Sequence, residues 1–233
     1  MAIVRRPAAE RGRTRLPWLD GRHSFSFGEY HDPHWMQWRA LRVLNDDHVA
    51  AGGGFATHPH RDMEILTWVL DGALEHRDSM GTGAVIHPGE AQIMSAGTGV
   101  THSEFNHSKT TPVRLLQIWF PPHTHGLEPG HQQRAFGDDE LRDRLRTIVA
   151  PDGHDGALVI HHDVTVAVTR LSSGASAARA LAPGRHAWVQ VARGGATVNG
   201  TTLDEGDGAG ISAEARVTLG SPTGAEVLLF DLP

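Results

Sequence analysis

The chain has 233 residues, with 27 Asp and Glu against 21 Lys and Arg, 17 His, 27 Gly, 13 Pro and no Cys. The absence of Cys excludes a disulfide scaffold, a thiolate metal site and a Cys nucleophile, and the net charge of −6 argues against a nucleic-acid-binding protein, since such proteins need a basic face. No apolar run approaches the ~18–20 residues that span a bilayer, and no apolar stretch of signal-peptide length follows the first residues, so we expect a cytoplasmic protein without a membrane partner.

Short β-branched and apolar-alternating segments separated by Gly and Pro make up most of the sequence. This pattern is typical of the strands of a sandwich or barrel, and it predicts an all-β protein. The strands are predicted at residues 38–44, 64–70, 91–95, 114–120, 164–171, 188–192 and 227–232.

One segment has a helical pattern. Acidic residues at 138–140 favour a helix N-terminus, and Leu141, Leu145 and Ile148 then recur at helical spacing. The helix is expected to end near Pro151 and to link two halves of the chain.

The two halves resemble each other in sequence. Residues 69–73 (VLDGA) match 191–195 (VARGG), and residues 89–96 (GEAQIMSA) match 206–213 (GDGAGISA) in the same order. The matches indicate a duplicated β-domain, although Gly-acid turns also recur in β-proteins without duplication. We predict two tandem antiparallel β-barrel or jelly-roll domains, at 1–135 and 153–233, with a short helical linker at 136–152.

Two His-containing pairs form the main candidate site. Residues two apart on a strand share a face, with Cα atoms ~6.5 Å apart, so His58 with His60, and His102 with Glu104, each present two ligands on one side. Imidazole and carboxylate groups bind metals at ~2.0–2.2 Å. If the two pairs lie on facing strands, they form a site of three His and one Glu.

Other His residues and one acidic residue are weaker candidates for the metal site. With 17 His in the chain, about one His-x-His pair is expected by chance, and we predict that His123 and His125, in a Pro-rich stretch, lie in a solvated loop. Glu64 has the strand parity of His58 and His60; we expect it to orient an imidazole or Arg61, with a surface role as the alternative. Three further His residues are predicted in turns or at the surface: His76, His87 and His107.

The spacing of Gly and His around these pairs looks like the two-part cupin signature, with Gly89, Gly97 and Asn106 in the second part. Five segments then closely resemble the pirin family of cupins: 22–27 (RHSFSF), 58–65 (HPHRDMEI), 70–81 (LDGALEHRDSMG), 94–104 (MSAGTGVTHSE) and 226–233 (EVLLFDLP). The resemblance is strongest to short bacterial pirins with quercetin 2,3-dioxygenase activity.

The resemblance implies a bicupin whose N-terminal domain binds one divalent metal ion. Its ligands would be His58, His60, His102 and Glu104, and the ion would be iron, with nickel, copper, manganese and zinc open as alternatives, because imidazole and carboxylate do not select among them.

The matching positions of the second half are Ala180, Ala182, Leu219 and Ser221, none of which can bind a metal. We therefore expect a C-terminal domain without metal, which packs against the first domain or shapes one wall of its site.

The leading functional hypothesis is a metal-dependent dioxygenase that opens a flavonol-like ring with O2 and releases carbon monoxide, with Glu104 as a metal ligand and as the catalytic acceptor of the substrate hydroxyl proton. A non-catalytic, metal- or redox-responsive regulator with a protein partner, as some pirins are, is the main alternative. Hydrolysis by a metal-bound hydroxide uses the same ligands and is a third.

Apolar residues near the site have two interpretations. They line a pocket for a flat aromatic substrate, or they belong to the ordinary core. The residues concerned are Phe25, Phe27, Phe55, Met63 and Met94.

Overall fold

The computed structural model describes residues 3–233, and nearly all of its regular structure is β-strand. The first half contains β1 (Ile3–Arg6), β2 (Gly12–Leu16), β3 (Leu19–His23), β4 (Val43–Val49), β5 (Gly54–His60), β6 (Glu64–Asp71), β7 (Leu74–Asp78), β8 (Gly83–Ile86), β9 (Glu90–Ser95), β10 (Val100–Asn106), β11 (Val113–Phe120) and β12 (Gly130–Ala135). One α-helix, α1 (Asp138–Leu141), and two single 3-10 turns, Ala8–Glu10 and His154–Gly156, are present in these residues. The second half contains β13 (Arg146–Ala150), β14 (Leu158–Val159), β15 (Thr165–Leu171), β16 (Ser176–Ala180), β17 (His186–Gly194), β18 (Ala196–Val198), β19 (Thr201–Leu203), β20 (Gly208–Ile211), β21 (Arg216–Gly220) and β22 (Ala225–Leu232).

The strands form four sheets, one large and one small in each half. In the first half the large sheet has the order β12-β9-β6-β11-β4-β3-β2, and the small sheet has the order β5-β10-β7-β8. In the second half the orders are β1-β20-β17-β22-β15-β13-β14 and β16-β21-β18-β19. The strands do not close into barrels but form two jelly-roll sandwiches, which confirms the predicted all-β bicupin.

The two sandwiches repeat one topology. The strands β9, β6, β11 and β4 of the first half take the places of β20, β17, β22 and β15 in the second, and the small sheets correspond strand for strand. The turn glycines of the two halves share their left-handed backbone, with φ of 74° at Gly72 and 70° at Gly194, and 84° at Gly89 and 85° at Gly206. The sequence matches thus reflect a repeated backbone as well as repeated residues.

Strand β1 connects the two sandwiches. It precedes the first sandwich in the chain but pairs antiparallel with β20, with Ile3 opposite Ile211. Arg5 donates to the Asp207 carboxylate at 3.1 Å, and Asp207 also accepts the Ala8 backbone N–H at 2.7 Å. The second sandwich is therefore completed by residues from the start of the chain.

A shared hydrophobic core joins the halves, with Trp188 near its centre. Trp188 is fully buried, and its ring centroid lies 4.9 Å from that of Phe25 and 6.2 Å from those of Trp35 and Trp38. Large buried aromatic side chains contribute more to core energetics than any other residue type. Buried aromatic contacts around Trp188 therefore join the two halves.

Six predicted strands are confirmed, within a few residues at each end, by β6, β9, β11, β15, β17 and β22. The strand predicted at 38–44 is wrong up to Arg42, because Trp38 lies in a loop that packs on the second half and its indole N–H donates to the Ala187 carbonyl at 2.9 Å.

The predicted short linking helix is confirmed, but its predicted length is wrong. The helix ends at Leu141, Asp143 has a left-handed φ of 55°, and Ile148 lies in β13. The β-branched run around Ile148 pairs with β15, which supplies the backbone hydrogen bonds that a helix would otherwise make internally.

None of the helices within residues 3–233 has the length and hydropathy needed to cross a membrane.

Because Trp188 packs against aromatic residues of the first half, Trp188→Ala should lower the free energy of unfolding of the whole protein by about 3–5 kcal/mol. The measurement is equilibrium denaturation followed by circular dichroism. Met36→Ala, at an exposed apolar residue, is the control and should change stability little. A variant in which only the second half unfolds early would contradict the shared core.

Candidate metal centre

Strands β5 and β10 bring the two predicted pairs together. They are hydrogen-bonded neighbours in the small sheet, with His58 opposite His102 and His60 opposite Val100. The pairs therefore lie side by side, on neighbouring strands of one sheet. The ring centroids are 4.4 Å apart for His58 and His102, 4.8 Å for His60 and His102, and 4.9 Å for His58 and His60.

Gly54 allows this close approach of the two strands. A Cβ at Gly54 would lie 2.5 Å from the Glu104 carbonyl oxygen and 2.6 Å from the Phe105 Cα, well inside van der Waals contact. The pairing of β5 with β10 shifts register between His102 and Glu104, just beside this contact. Any residue larger than glycine at position 54 would therefore clash with the backbone of β10.

The imidazole nitrogens of the three His residues converge. The His58 Nδ1–H donates to the Ala56 carbonyl at 2.7 Å, which leaves the lone pair on Nε2, 3.0 Å from His102 Nε2. His60 Nε2 is buried and has no hydrogen-bond partner among the described residues. The ligand atoms of all three His lie within 4.8 Å of one another.

Burial keeps two of these imidazoles neutral. Burial, and to a lesser degree the proximity of His58, lowers the pKa of His60 to about 4. Burial together with the neighbouring His residues lowers the pKa of His102 to about 3. A metal binds the neutral imidazole, so these residues need not lose a proton to bind an ion at neutral pH.

Glu104 lies two residues beyond His102 on β10 and is buried. Burial raises its pKa to about 7, against the opposing effect of the Gln117 amide, which donates to a carboxylate oxygen at 3.1 Å. The Thr67 hydroxyl donates to the Gln117 amide oxygen at 2.8 Å and so fixes which end of the amide faces Glu104. Glu104 falls in a second group of potential ligands with His102 and His76.

The buried position of His76 was not predicted from the sequence. His76 is fully buried, so its prediction as a turn or surface residue is wrong, whereas His87 and His107 are exposed as expected. Asp78 accepts a hydrogen bond from His76 at 3.0 Å. Burial raises the Asp78 pKa, but hydrogen bonds from His76 and from two backbone N–H groups outweigh it, and the net pKa is lowered. The His-x-Asp spacing on one strand face was the available signal.

Other predicted residues lie elsewhere. Glu64 is buried and contacts the His161 imidazole of the second half, with Nδ1 3.3 Å from a carboxylate oxygen, and it accepts hydrogen bonds from Ser95 and from the His161 backbone. The imidazole that it contacts is therefore not a candidate ligand, and the surface alternative is wrong. His123 and His125 are exposed, as predicted for loop residues. Asn106 is buried, and its amide donates to three backbone carbonyls, which is a structural role.

The donor set fits a divalent cation. Two Nε2 atoms face each other at 3.0 Å, and a third buried Nε2 is unpaired among the described residues. The Glu104 carboxylate lies within 4.8 Å of a potential ligand atom of His102, but it does not fall in the group formed by His58, His60 and His102. Without an ion, one proton bridges the two facing Nε2 atoms; a cation that takes its place would be bound by the lone pairs of the three imidazoles. Imidazoles with a carboxylate suit first-row transition metals.

An apolar cavity of about 380 Å³ opens beside the His residues, a volume within the ~300–1,000 Å³ of small-molecule sites. All its lining residues lie between positions 18 and 119, so the expectation that the second half shapes a wall of the site is wrong for this cavity. Phe27 and Phe55 line it as one interpretation predicted, while Phe25 and Met94 belong to the core. The full lining is Trp18, Phe27, Asn45, Asp47, Phe55, Ala56, His58, His60, Leu74, Glu104, Leu115, Gln117 and Trp119.

Asp47 is an unusual group in this lining. It is 4% exposed, and its Oδ1 has no hydrogen-bond partner within residues 3–233. Burial, and then the charges of Asp46 and Glu104, raise the pKa of Asp47 to about 8 despite the opposing charge of Arg11. The cavity therefore contains a carboxyl group that stays protonated at neutral pH.

Two tandem jelly-roll sandwiches, the first with a His and carboxylate cluster beside an apolar cavity, define a bicupin with a candidate site for a divalent metal ion. Comparison with known proteins supports this classification. The family model described as "Pirin" matches residues 5–120, and the model described as "Quercetinase C-terminal cupin domain" matches residues 147–232.

Among curated proteins, the chain is 45% identical over 231 residues to the quercetin 2,3-dioxygenase of Escherichia coli strain K12, with 99% of each chain covered. Among solved structures, it superposes on YhhW from Escherichia coli with a TM-score of 0.95 at 44% identity, covering 99% of this chain and 97% of YhhW. A structure of bacterial pirin YhhW in complex with nickel(II) has a TM-score of 0.94 at 44% identity, with 99% of each chain covered. The chain belongs to the pirin family.

The raised pKa of Asp47 predicts a pH-dependent stability. Between about pH 4 and pH 8 the folded state holds a proton that unfolded Asp47 has lost, so this group's contribution to stability falls as the pH rises. In chelator-treated protein, Asp47→Asn should therefore be more stable than the wild type, by about 1–3 kcal/mol at pH 8 and by less at pH 5. Thermal unfolding at both pH values is the measurement.

The neighbouring Asp46 is the matched control. It pairs with Arg114 at 2.9 and 3.0 Å, and these contacts hold its pKa below the usual range although burial opposes them. Asp46→Asn should destabilise the protein at both pH values. If Asp47→Asn also destabilised the protein at pH 8, Asp47 would be an ionised, paired carboxylate and the assignment above would be incorrect.

Proposed function

We propose that this protein is a metal-dependent dioxygenase that opens the heterocyclic ring of a flavonol-like substrate with O2 and releases carbon monoxide. The proposed ligands are His58, His60, His102 and Glu104, and the proposed ion is iron(II). The convergence of three imidazole nitrogens at the wall of an apolar cavity carries the proposal. The name of the Escherichia coli relative, quercetin 2,3-dioxygenase, supports the substrate class.

When bound, a divalent ion supplies Lewis acidity, which lowers the pKa of a hydroxyl group that it coordinates. Glu104 then accepts the hydroxyl proton at a carboxylate oxygen, in addition to its role as a ligand. Without an ion, burial raises its pKa to about 7; a bound cation would lower that pKa and leave the carboxylate ionised, which is the form that accepts a proton. The Gln117 amide donates to the carboxylate and holds it towards the cavity.

The cavity walls suit a flat aromatic molecule. Trp119 packs edge-on against His60, with ring centroids 5.0 Å apart, and against Phe27 at 5.4 Å. Trp18 and Phe55 pack edge-on at 5.0 Å on the same cavity. These rings bind apolar faces and exclude water, which would otherwise compete with the substrate and with O2.

Oxygen uptake tests the reaction. Purified protein loaded with iron(II) under anaerobic conditions, then given quercetin and oxygen, should consume O2, release an equal amount of carbon monoxide and lose the flavonol absorbance. Glu104→Gln should keep most of the metal but lower kcat at least ~100-fold, the size of a lost proton acceptor. Metal analysis and an oxygen electrode are the measurements.

His58→Ala should lose both metal and turnover, whereas His87→Ala, at an exposed His far from the cavity lining, should lose neither. Metal bound without any oxygen uptake would contradict the dioxygenase proposal and favour a regulatory role. Unchanged turnover of Glu104→Gln would exclude Glu104 as proton acceptor while leaving the reaction in place.

The assignment of the apolar cavity as the substrate site can be tested separately. Leu115 is buried and lines the cavity, so Leu115→Phe should occupy part of the substrate volume and raise the KM for quercetin about tenfold, with nickel(II) affinity unchanged. Leu116 is equally buried but belongs to the shared core away from the cavity, and Leu116→Met should leave the KM unchanged. An unchanged KM in Leu115→Phe would mean that the substrate binds elsewhere.

A further inference from the structure

A buried pair of polar side chains lies behind the candidate metal centre, on the side away from β5. His76 and Asp78 are on β7, and both side chains are 0% exposed. Neither lines the cavity, so neither is available to a substrate there. Buried polar groups persist only where they are hydrogen-bonded, and their partners indicate their role.

The sheet register places this pair beside the candidate ligands. Strand β10 lies between β5 and β7, so that His102 has His58 on one side and Asp78 on the other. Glu104, two residues along, is opposite His76. The potential ligand atoms of His76, His102 and Glu104 lie within 4.8 Å of one another.

The hydrogen bonds of Asp78 determine the tautomer of His76. One Asp78 carboxylate oxygen accepts the backbone N–H groups of Met80 at 2.9 Å and Thr82 at 3.0 Å, and the other accepts from His76 Nε2 at 3.0 Å. An ionised carboxylate can only accept. His76 therefore carries its proton on Nε2, and its Nδ1 has a lone pair.

The same reasoning extends one step to His102. Its Nδ1 lies 3.5 Å from His76 Nδ1, and its Nε2 lies 3.0 Å from His58 Nε2. Both partner atoms can only accept, so the single proton of neutral His102 can serve only one of the two contacts. His76 supports the form with the proton on Nδ1, which is the form that a metal ion at Nε2 requires. With its proton on Nδ1, His102 has a lone pair on Nε2, the atom that faces His58 Nε2. His58 reaches the same tautomer by a different route, through the Ala56 carbonyl.

We propose that Asp78 and His76 are positioning residues that fix the tautomer and ring orientation of His102, so that its Nε2 lone pair is directed at the metal ion. The proposal rests on the ligand set of the proposed function. Partners of this kind behind a ligating His typically change metal affinity by 10–100-fold when they are removed. His131 packs on His76 with ring centroids 5.2 Å apart and is itself bound to Gln92, which restricts the His76 ring further.

Asp78→Asn tests the chain of hydrogen bonds. The amide oxygen still accepts the two backbone N–H groups, but the amide nitrogen replaces the oxygen that faced His76 and can only donate. His76 Nε2 must then accept, its proton moves to Nδ1, and His102 is left with its proton on Nε2. We expect 10–100-fold weaker nickel(II) binding by isothermal titration calorimetry, because the ligating nitrogen must first lose that proton.

Two further variants separate positioning from folding. His76→Asn retains an acceptor oxygen near His102 Nδ1 and should keep more nickel(II) affinity than His76→Leu, which has none. Glu75→Gln removes an equal charge from the same strand, where Glu75 contacts Arg77 and His107 at the surface, and should bind nickel(II) like the wild type. Thermal unfolding of each variant shows that the fold is retained.

A readout without metal completes the test. In chelator-treated protein, two-bond ¹H–¹⁵N correlation spectra distinguish the tautomers of His76, which should be Nε2–H in the wild type and Nδ1–H in Asp78→Asn. Unchanged spectra together with nickel(II) affinity within twofold of the wild type would overturn the proposal. Loss of affinity in His76→Asn as severe as in His58→Ala would also overturn it, because His76 would then be a ligand. Absence of nickel(II) binding in the wild type would instead refute the ligand set.

Discussion

The central constraint on this structure is the pairing of β5 with β10, which holds His58 opposite His102 with their Nε2 atoms 3.0 Å apart. The Ala56 carbonyl keeps the proton of His58 on the far nitrogen, and burial keeps His102 neutral. His58 Nε2 can therefore only accept, and without an ion the 3.0 Å contact needs the His102 proton, which a bound cation would replace. Gly54 contributes by allowing the backbones to approach more closely than any larger residue would permit.

Strand β4 of the large sheet carries two adjacent buried acidic residues, Asp46 and Asp47, whose charges would repel each other if both were ionised. Side chains on a strand alternate between faces. The Asp46 carboxylate therefore pairs with Arg114, which also donates to Glu205 of the second half at 2.8 Å, and the Asp47 carboxyl faces the cavity. The first is stabilised as an anion, and the second avoids the cost of an unpaired buried charge by keeping its proton. One strand thus places an ion pair between the two halves and a neutral acid beside the site.

The sequence predicted the parts of the site that depend on strand parity, and it missed those that depend on strand neighbours. Alternation alone is enough to pair His58 with His60 and His102 with Glu104. It cannot show that β7 lies next to β10, and His76, in a segment rich in turn residues, was therefore assigned to the surface. Glu64 has the parity of the His pair but lies on a different sheet, where it contacts the second half. The apolar spacing after Asp138 fits a helix, and it is the pairing of residues 146–150 with β15 that makes the second part of this segment a strand.

Strand β1 also has a consequence for biosynthesis. Its contacts with β20 join residues 202 positions apart in the chain, as between Arg5 and Asp207. The ribosome synthesises β1 long before β20, so β1 has no partner strand while the first sandwich emerges. The second sandwich therefore closes only after both distant segments are outside the ribosome.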